Sequence, residues 1–270
     1  MKNFRYLLYV MLVLATMYCI ISCRNRDSSE NHEILNIVHY NIGTFNKSED
    51  SSIMRTADLL QKTGADLISF NELDSCTVRS GNVYQLQDFA RAMGEWDFRF
   101  GKAIEFDGGG YGIGICSEKK ILSCRHIPLP QGDGSEARAL LVCEYDNLVF
   151  ATTHLDYLTE DTQLLQLKCI DDFFLEEYGA GTSKPIILCA DTNAEPESRL
   201  IKEMVKSWTI ISDIQNSYPA EAPEMCIDYI FLYNMGGKCK ILEKSHLTEF
   251  LVEDADKISD HLPLYVKIEI

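Results

Sequence analysis

Carboxylate, amide and imidazole side chains recur directly beside apolar runs in this 270-residue sequence. They are Asn41, Glu72, His154, Asp191, Asn193, Asp228, Asp260 and His261. Carboxylate and amide oxygens suit a hard cation such as Mg²⁺, and a carboxylate beside an imidazole can hold or move a proton. Any one of these residues alone would be a turn residue, a helix cap or a surface charge. Their shared position at the ends of apolar runs instead predicts that they meet in one cleft.

The apolar runs that must position these side chains have the composition of buried β-strands. They cover residues 34–40, 66–70, 111–116, 140–145, 148–153, 185–190, 227–232 and 262–268. Helical periodicity is found between residues 53 and 60 and between residues 164 and 175. Strands outnumber helices, and the runs 140–145 and 148–153 are close enough to form a hairpin. We therefore predict stacked β-sheets covered by helices, in one domain over residues 33–270.

Seven short motifs connect the polar residues to a known family. They are HYNIG at 39–43, ADLISFNELD at 65–74, YGIGICS at 111–117, TTHLD at 152–156, PIILCADTNAEP at 185–196, CIDYIF at 226–231 and ISDHLPL at 258–264. In this order they resemble the endonuclease/exonuclease/phosphatase superfamily of metal-dependent phosphoesterases, which includes DNase I-like nucleases, sphingomyelinases and inositol polyphosphate 5-phosphatases. The resemblance covers nearly all of residues 33–270, and seven motifs in order are far more specific than any one alone.

The resemblance implies both the fold and a cofactor. The implied α/β fold is a four-layered α/β/β/α sandwich, DNase I-like, with two packed mixed sheets flanked by helices. The implied cofactor is Mg²⁺, with Mn²⁺ as an alternative. Its expected ligands are Glu72, Asn41 and Asp260, whose oxygen atoms suit this class of cation.

The resemblance also implies catalytic roles for five residues. Asp191 is expected to orient or deprotonate the attacking water, and Asn193 to help fix the phosphate and the water. His261 is expected to contact the scissile phosphate, with its ring held by Asp228. His154 is expected to be a second contact to the phosphate. A carboxylate partner selects the tautomer of an imidazole and favours its charged form.

Several positions depart from the common pattern of the family. Asn71 replaces the usual Gln before the metal glutamate, Ala190 a Gly, Cys226 an Arg, and Gln163 another Arg. None of these changes removes a residue of the predicted site. Arg138 has two open interpretations, a contact to the substrate phosphate or a surface or packing role in which its stem covers apolar surface.

Composition narrows the function but does not choose a substrate. The chain is 46% hydrophobic and 24% charged, which is typical of folded soluble proteins. Its net charge of −16 disfavours binding to extended nucleic acid, which requires clustered Lys and Arg.

The expected substrate is a phosphoester, either a lipid headgroup, a sugar or inositol phosphate, or a nucleotide, and a phosphodiester on a small or lipid substrate is favoured. The alternatives are a secreted nuclease and a catalytically silent binding lipoprotein of the same fold. We expect a monomer.

The N-terminus has the pattern of an export signal. Lys2 and Arg5 precede an uncharged apolar run over residues 6–21, which is short for a membrane span. The run ends at Cys23 in a sequence that resembles a bacterial lipoprotein lipobox. We predict a signal peptide at 1–22, acylation of Cys23 and a polar tether at 23–32, which would attach the protein to a membrane of the bacterial cell envelope, on a periplasmic or surface-exposed face. An uncleaved anchor helix and an ordinary signal peptide are the alternatives.

Ten cysteines show no C-x-x-C pair, so the sequence predicts no thiol metal site. Cys19 lies in the predicted signal peptide. Cys116, Cys143 and Cys189 lie in apolar runs, where we expect small buried hydrophobic side chains. Export would permit disulfides, but the sequence does not determine their pairing.

Overall fold

The chain is built mainly of β-strands. The computed structural model describes residues 32–46, 52–179, 181–247, 249–250 and 253–270. The strands are β1 (Ile34–Asn41), β2 (Leu67–Ser75), β3 (Asp97–Phe106), β4 (Gly109–Ser117), β5 (Ser123–Pro128), β6 (Ala139–Glu144), β7 (Val149–His154), β8 (Ile186–Asp191), β9 (Trp208–Ile210), β10 (Asp228–Tyr233), β11 (Lys240–His246), β12 (Glu249–Phe250), β13 (Glu253–Asp254) and β14 (Leu264–Glu269). The helices are α1 (Ile53–Gln61), α2 (Gln85–Ala92), α3 (Glu160–Tyr178) and α4 (Arg199–Met204). Two 3₁₀ turns cover Gly43–Phe45 and Ala255–Lys257.

Two six-stranded sheets contain all the longer strands. The first sheet has the order β11-β14-β1-β2-β4-β3, and the second has the order β5-β6-β7-β8-β10-β9. In each sheet one central pair is parallel, β1 with β2 and β7 with β8, while the other pairs are antiparallel. Both sheets are therefore mixed.

Three apolar cores separate four layers. One core packs α1 and α2 against the first sheet, through residues such as Leu60 and Phe89. A second packs α3 and α4 against the second sheet, through residues such as Phe174 and Leu200. The third core lies between the two sheets. The α/β/β/α sandwich expected from the resemblance is thus confirmed.

The inner faces of the strands change from apolar to polar along their length. Because side chains alternate between the two faces of a strand, Leu35, Ile37, His39 and Asn41 share the face of β1 that looks toward the second sheet. The first two of these residues belong to the core between the sheets, and the last two are polar. The same change occurs in β2, β7 and β8, whose inner faces end in the residues Asn71, His154 and Asp191. One end of the space between the sheets is therefore lined with polar groups.

Capping helps to set where α3 begins, directly after the strand that carries His154. The side chain of Thr159 accepts a hydrogen bond from the N–H of Thr162, and Glu160 and Asp161 occupy the first turn. Acidic residues at this end of a helix are favoured by the helix dipole. The chain from β7 therefore turns away from the polar end of the sandwich within a few residues.

One cysteine prediction needs correction. Cys143 is buried, as are Cys116 and Cys189, but it forms a disulfide with Cys124. These two residues face each other across the antiparallel pair β5 and β6. Direct opposition on neighbouring strands brings two side chains within reach of each other, and residues 124 and 143 are far enough apart in sequence that spacing alone did not indicate the pair.

The predicted signal peptide, the proposed lipid site Cys23 and all but the last residue of the predicted tether lie outside the described residues. None of the helices within the described ranges is long and apolar enough to span a membrane.

Candidate active site

A cavity of about 310 Å³ opens at the polar end of the sandwich. Its lining includes six of the eight residues that the sequence singled out. The lining residues are Glu72, Tyr111, Glu136, Arg138, His154, Tyr157, Asp191, Asn193, Tyr218, Met225, Ile227, Asp260 and His261. The remaining two predicted residues, Asn41 and Asp228, lie directly beside the cavity and hydrogen bond to residues that line it. The structure therefore brings all eight together.

The imidazole of His261 is hydrogen bonded to the buried carboxylate of Asp228, on the side of the ring away from the cavity. Its Nδ1 is 2.8 Å from Oδ2 of Asp228, and the hydroxyl of Ser217 donates to the same oxygen at 2.6 Å. The ring of Tyr218 lies against the imidazole, with a centroid distance of 4.8 Å. With Nδ1 directed at Asp228, Nε2 of His261 faces Asn41 and Asp191 at the cavity.

Asn41 links three of the predicted residues through one amide nitrogen. Its Nδ2 is 2.9 Å from Oδ2 of Asp191, 3.1 Å from Oε1 of Glu72 and 3.4 Å from Nε2 of His261. Its Oδ1 accepts a hydrogen bond from the N–H of Gly43 at 3.2 Å. The side chain is 1% exposed, so its orientation is fixed by these contacts. It thereby holds Glu72 and Asp191 close to each other.

Asp191 lies between two imidazoles. Its Oδ2 is 3.6 Å from Nε2 of His154 and 3.8 Å from Nε2 of His261. Burial, followed by the charge of Asp228, raises the pKa of Asp191 to about 7, although His261 and Asn41 oppose the change. A carboxylate with a pKa near neutrality can accept a proton from water and release it again at the same pH.

The two histidines have opposite protonation tendencies. Burial lowers the pKa of His261, but the charge and hydrogen bond of Asp228, with help from Asp191, raise it overall to about 9. Burial, together with the charges of Arg138 and His261, holds the pKa of His154 well below its ordinary value. At neutral pH the site therefore contains one charged imidazole and one neutral imidazole.

Glu72 reaches the cavity because β2 is irregular at this point. The register of β2 against β4 shifts between Phe70 and Leu73, and Glu72 has a φ of 58°. On β4, Gly112 lies opposite Leu73. A Cβ on Gly112 would come within 2.1 Å of the carbonyl oxygen of Gly101 on β3, so β4 can approach β3 this closely only with glycine there.

Two amide side chains, at positions where the family pattern usually has Gln or Arg, hydrogen bond to the backbone at the end of β8 and in the loop after it. Asn71 accepts a hydrogen bond from the N–H of Asp191 and donates to the carbonyl of Thr153, which ties β2 to the second sheet. Gln163 donates to the carbonyl of Asn193 at 3.2 Å and to the carbonyl of Asp156 at 2.7 Å. Both substitutions therefore support the backbone of the site.

Asn193 occupies the strained position in this loop, with a φ of 51°. Its N–H donates to Oδ1 of Asp191, and its Nδ2 donates to the carbonyl of Leu155. Left-handed backbone is tolerated best by Gly and Asn, so the residue type suits the turn as well as the cavity. The hydrogen bond to Asp191 fixes the carboxylate that the sequence assigns to the attacking water.

Arg138 supplies a buried positive charge to the cavity. Its side chain is 5% exposed, and its Nη1 is 3.0 Å from Oε1 of Glu136. The guanidinium lies 6.0 Å from the ring centroid of Tyr157. Within the described residues, its Nε has no hydrogen-bond partner. A surface location is therefore wrong for Arg138, which lies in the candidate active site itself.

The acidic residues fit a hard divalent cation. Glu72 and Asp260 both line the cavity and offer carboxylate oxygens, and Asn41 contacts Glu72. Asp191, Asp228 and His261 also present potential ligand atoms within 4.8 Å of one another. Asp228 is 1% exposed and already accepts hydrogen bonds from His261 and Ser217, so it is better suited to hold the histidine.

Several residues of the cavity were not predicted from the sequence. Tyr111, Glu136, Tyr157 and Tyr218 line it but were not among the predicted site residues, although Tyr111 begins one of the seven family motifs. Tyr157 and Tyr218 lie in loops and Tyr111 lies in β4, and the sequence around each is that of ordinary loop or strand residues. Ser217 was missed for the same reason, because only the contact to Asp228 distinguishes it from other serines.

Comparison with known proteins identifies the family. The sequence profile of the endonuclease/exonuclease/phosphatase family matches residues 38–261. The endonuclease/exonuclease/phosphatase from Bacteroides vulgatus superposes with a TM-score of 0.69 at 17% identity, over 88% of this chain and 99% of that one. The corresponding protein from Beutenbergia cavernae gives a TM-score of 0.68 at 17% identity, over 88% of this chain and 72% of that one.

A third similar structure is the mannosyl-6-phosphatase of Bacteroides thetaiotaomicron, with a TM-score of 0.64 at 17% identity, over 87% of this chain and 99% of that one. No curated protein matches the chain in sequence. At these identities the solved structures support the fold, whereas the profile match over most of the chain establishes the family. The chain belongs to the endonuclease/exonuclease/phosphatase family.

Proposed function

We propose that the protein is a divalent-metal-dependent phosphoesterase that uses water to hydrolyse small phosphate esters. One observation carries the proposal. Asp191, linked to Glu72 through Asn41, stands beside a histidine that Asp228 holds at 2.8 Å, at a cavity large enough for a phosphate ester. This arrangement supplies a proton acceptor, a proton donor and oxygen ligands for a cation within one site.

The roles that we propose for Asp191, His261 and Asn193 in the reaction follow from their surroundings. Asp191 accepts the proton of the attacking water, which its pKa of about 7 favours near neutral pH. His261 donates a hydrogen bond to a phosphoryl oxygen from Nε2, because Asp228 keeps Nδ1 occupied and the ring charged. Asn193 holds Oδ1 of Asp191 through its backbone N–H.

Glu72 and Asp260 would hold Mg²⁺ through their carboxylates, and Mn²⁺ would fit the same oxygen atoms. Asn41, predicted from the sequence as a third ligand, instead turns Nδ2 toward Glu72, while its Oδ1 accepts from Gly43, so it would position Glu72. The chemistry supplied by such a cation is neutralisation of the phosphoryl charge that develops during attack. Arg138 adds a permanent positive charge to the same cavity. His154, held neutral by burial and by Arg138, offers a hydrogen bond to the phosphate rather than a further charge.

The cavity favours a small substrate. A volume of about 310 Å³ accommodates a phosphorylated sugar or a similar group, and the net charge of −16 disfavours extended nucleic acid around it. Its lining contains the carboxylates Glu72, Glu136, Asp191 and Asp260, against one arginine. The similar mannosyl-6-phosphatase acts on a sugar phosphate, so sugar phosphates are the first substrates to assay. No observation at this site favours the nuclease alternative.

The proposal is tested with purified protein and a panel of phosphate mono- and diesters, in Mg²⁺ and in EDTA. We expect turnover that requires the metal and that falls by at least about 10²-fold in Asp191→Asn, because the proton acceptor is lost. Asp161→Asn is the matched control, since Asp161 lies on α3 with a side chain that is 84% exposed. Turnover that persists in EDTA, or an Asp191→Asn variant as active as the control, would contradict the proposal.

The location of the enzyme is a separate proposal that rests on sequence. The uncharged run at residues 6–21 and the Ile20-Ile21-Ser22-Cys23 sequence support export and acylation of Cys23. Cells grown with a radiolabelled or clickable fatty acid should label the full-length protein, and Cys23→Ser should abolish the label. Label retained in Cys23→Ser would show that the anchor lies elsewhere, and a protein that is never labelled would rule out lipidation. Gel filtration of the delipidated protein tests the expected monomer.

A further inference from the structure

A second histidine lies behind the Asp228–His261 pair. His39 on β1 is completely buried, and its Nδ1 is hydrogen bonded to Oγ of Ser69 at 3.0 Å. On the other side of the ring, Nε2 is 3.5 Å from Oδ1 of Asp228. His39 does not line the cavity, so it does not touch the substrate.

Asp228 uses its two oxygens differently. Oδ2 accepts the hydrogen bonds from His261 and Ser217. Among the described residues, neither Oδ1 of Asp228 nor Nε2 of His39 has a hydrogen-bond partner of its own. A buried polar group without a partner costs roughly 1–3 kcal/mol, and these two atoms face each other. Each is therefore the natural partner of the other.

Packing alone does not explain why position 39 is a histidine. Leu35 and Ile37 precede it on the same face of β1 and fill the core between the sheets. An apolar residue at position 39 would continue that core without the cost of burying a polar ring. Two residues further along the same strand, Asn41 contacts Nε2 of His261 at 3.4 Å. Strand β1 of the first sheet thus contacts both members of the Asp228–His261 pair. His39 faces Asp228, which lies on the second sheet, and Asn41 faces His261.

We propose that His39 is a positioning residue for the phosphoesterase site. Its Nε2–H donates to Oδ1 of Asp228 and fixes the carboxylate plane, so that Oδ2 remains directed at Nδ1 of His261. The orientation of His261 toward the phosphate then depends on a residue that never contacts the substrate. The inference rests on the function proposed above for His261, but the contact itself can be measured without turnover.

Two isosteric substitutions separate positioning from packing. The amide nitrogen of His39→Gln stands where Nε2 stands and can still reach Asp228. The amide nitrogen of His39→Asn stands where Nδ1 stands and reaches only Ser69. We expect kcat to fall about tenfold or more in His39→Asn with KM nearly unchanged, and to be largely retained in His39→Gln. His126→Asn, an exposed histidine on β5, is the control.

A spectroscopic measurement tests the same contact in metal-free protein. The Nδ1–H proton of His261, bound to Asp228, should give a low-field ¹H NMR signal that His261→Asn removes. We expect this signal to shift or broaden in His39→Asn and to be kept in His39→Gln. In the unsubstituted protein, ¹H–¹⁵N spectra should show a proton on Nε2 of His39, and this result does not depend on whether any variant folds.

Three results would overturn the proposal. They are an unprotonated Nε2 on His39, identical kcat and NMR signals in the Gln and Asn variants, and activity losses that simply follow losses of thermal stability. If the unsubstituted protein hydrolyses no phosphoester, the function proposed above has failed. The NMR comparison then still decides whether His39 positions Asp228.

Discussion

The position of Arg138 in the structure favours one of the two interpretations that its sequence left open. In sequence it is one arginine near the start of an apolar run. In the structure it is 5% exposed, lines the cavity and has an Nε without a hydrogen-bond partner among the described residues. Glu136 contacts Nη1, whereas Nε remains available as a donor for another acceptor. A phosphoryl oxygen is the acceptor that the proposed reaction supplies.

Replacing Arg138 with Met should lower kcat/KM by about 10- to 100-fold, because a hydrogen bond to a charged group contributes about 1.5–3 kcal/mol. Met keeps an apolar stem of similar length, so packing changes little. Steady-state kinetics on the best substrate would measure the effect, and Arg138→Lys should restore part of it. Arg91→Met, at a side chain that is 57% exposed on α2, is the control. Unchanged kcat/KM in Arg138→Met would assign the residue to packing.

At the scale of the elements, the irregular stretch of β2 delivers Glu72 to the cavity. Gly112 on β4 pairs with Leu73, the residue after Glu72 on β2, and on its other side with Lys102 on β3, so a displacement of β4 would be passed to the stretch that carries Glu72. A side chain at position 112 would meet backbone atoms on both Gly101 and Ala103, which cannot rotate away. The geometry of a proposed metal ligand is thus set partly by a residue with no polar side chain.

Gly112→Ala should lower the free energy of unfolding by about 1–3 kcal/mol, the usual cost of overpacking a filled site. It should also lower the apparent affinity for Mg²⁺, because the strand that carries Glu72 must shift. Thermal unfolding and a metal titration of activity would measure the two effects. Gly94→Ala is the matched control, since nothing lies within 4 Å of its added Cβ and its cost comes from positive φ alone. Unchanged affinity for Mg²⁺ in Gly112→Ala would show that the geometry of Glu72 does not depend on the packing of Gly112.

At the scale of the whole molecule, the site is a junction between the two sheets. Asn41 and Glu72 come from the first sheet, whereas Asp191 and Asp228 come from the second. Hydrogen bonds cross the junction from Asn41 to Asp191 and from Asn71 to the backbone of Thr153. A ligand bound at this junction stabilises the packing of both sheets, because it binds the folded state alone.

Saturating Mg²⁺ should therefore raise the melting temperature. At a concentration of about 100 Kd the gain is roughly 2.7 kcal/mol, or about 5–10 °C for a domain of this size. Differential scanning calorimetry in Mg²⁺ and in EDTA would measure it. Glu72→Gln should remove most of the shift, whereas Glu197→Gln, at a side chain that is 92% exposed, should retain it. An equal shift in both variants would place the metal elsewhere.

Apart from the two-residue strands β12 and β13, the strands that were not predicted from the sequence share one property. β3 and β11 are the edges of the first sheet, and β5 and β9 are the edges of the second. No residue of β5 or β11 is buried, so neither contains the continuous apolar run that identified the central strands. All eight predicted strands are instead interior strands of the two sheets. The short helices α2 and α4 were missed because one or two turns give little periodicity.

The sequence by itself determined the interior strands, the four-layered fold class, the family and the set of eight polar residues. The interior strands followed from continuous apolar runs, and the family with its four-layered fold followed from the order of short motifs, and both are local properties of the chain. Tertiary structure alone decided which partners these residues have. The Cys124–Cys143 disulfide, the place of Arg138 in the cavity and the contact of His39 with Asp228 all join residues that are distant in sequence or on different sheets. Such contacts depend on sheet packing and strand register, which no short stretch of sequence encodes.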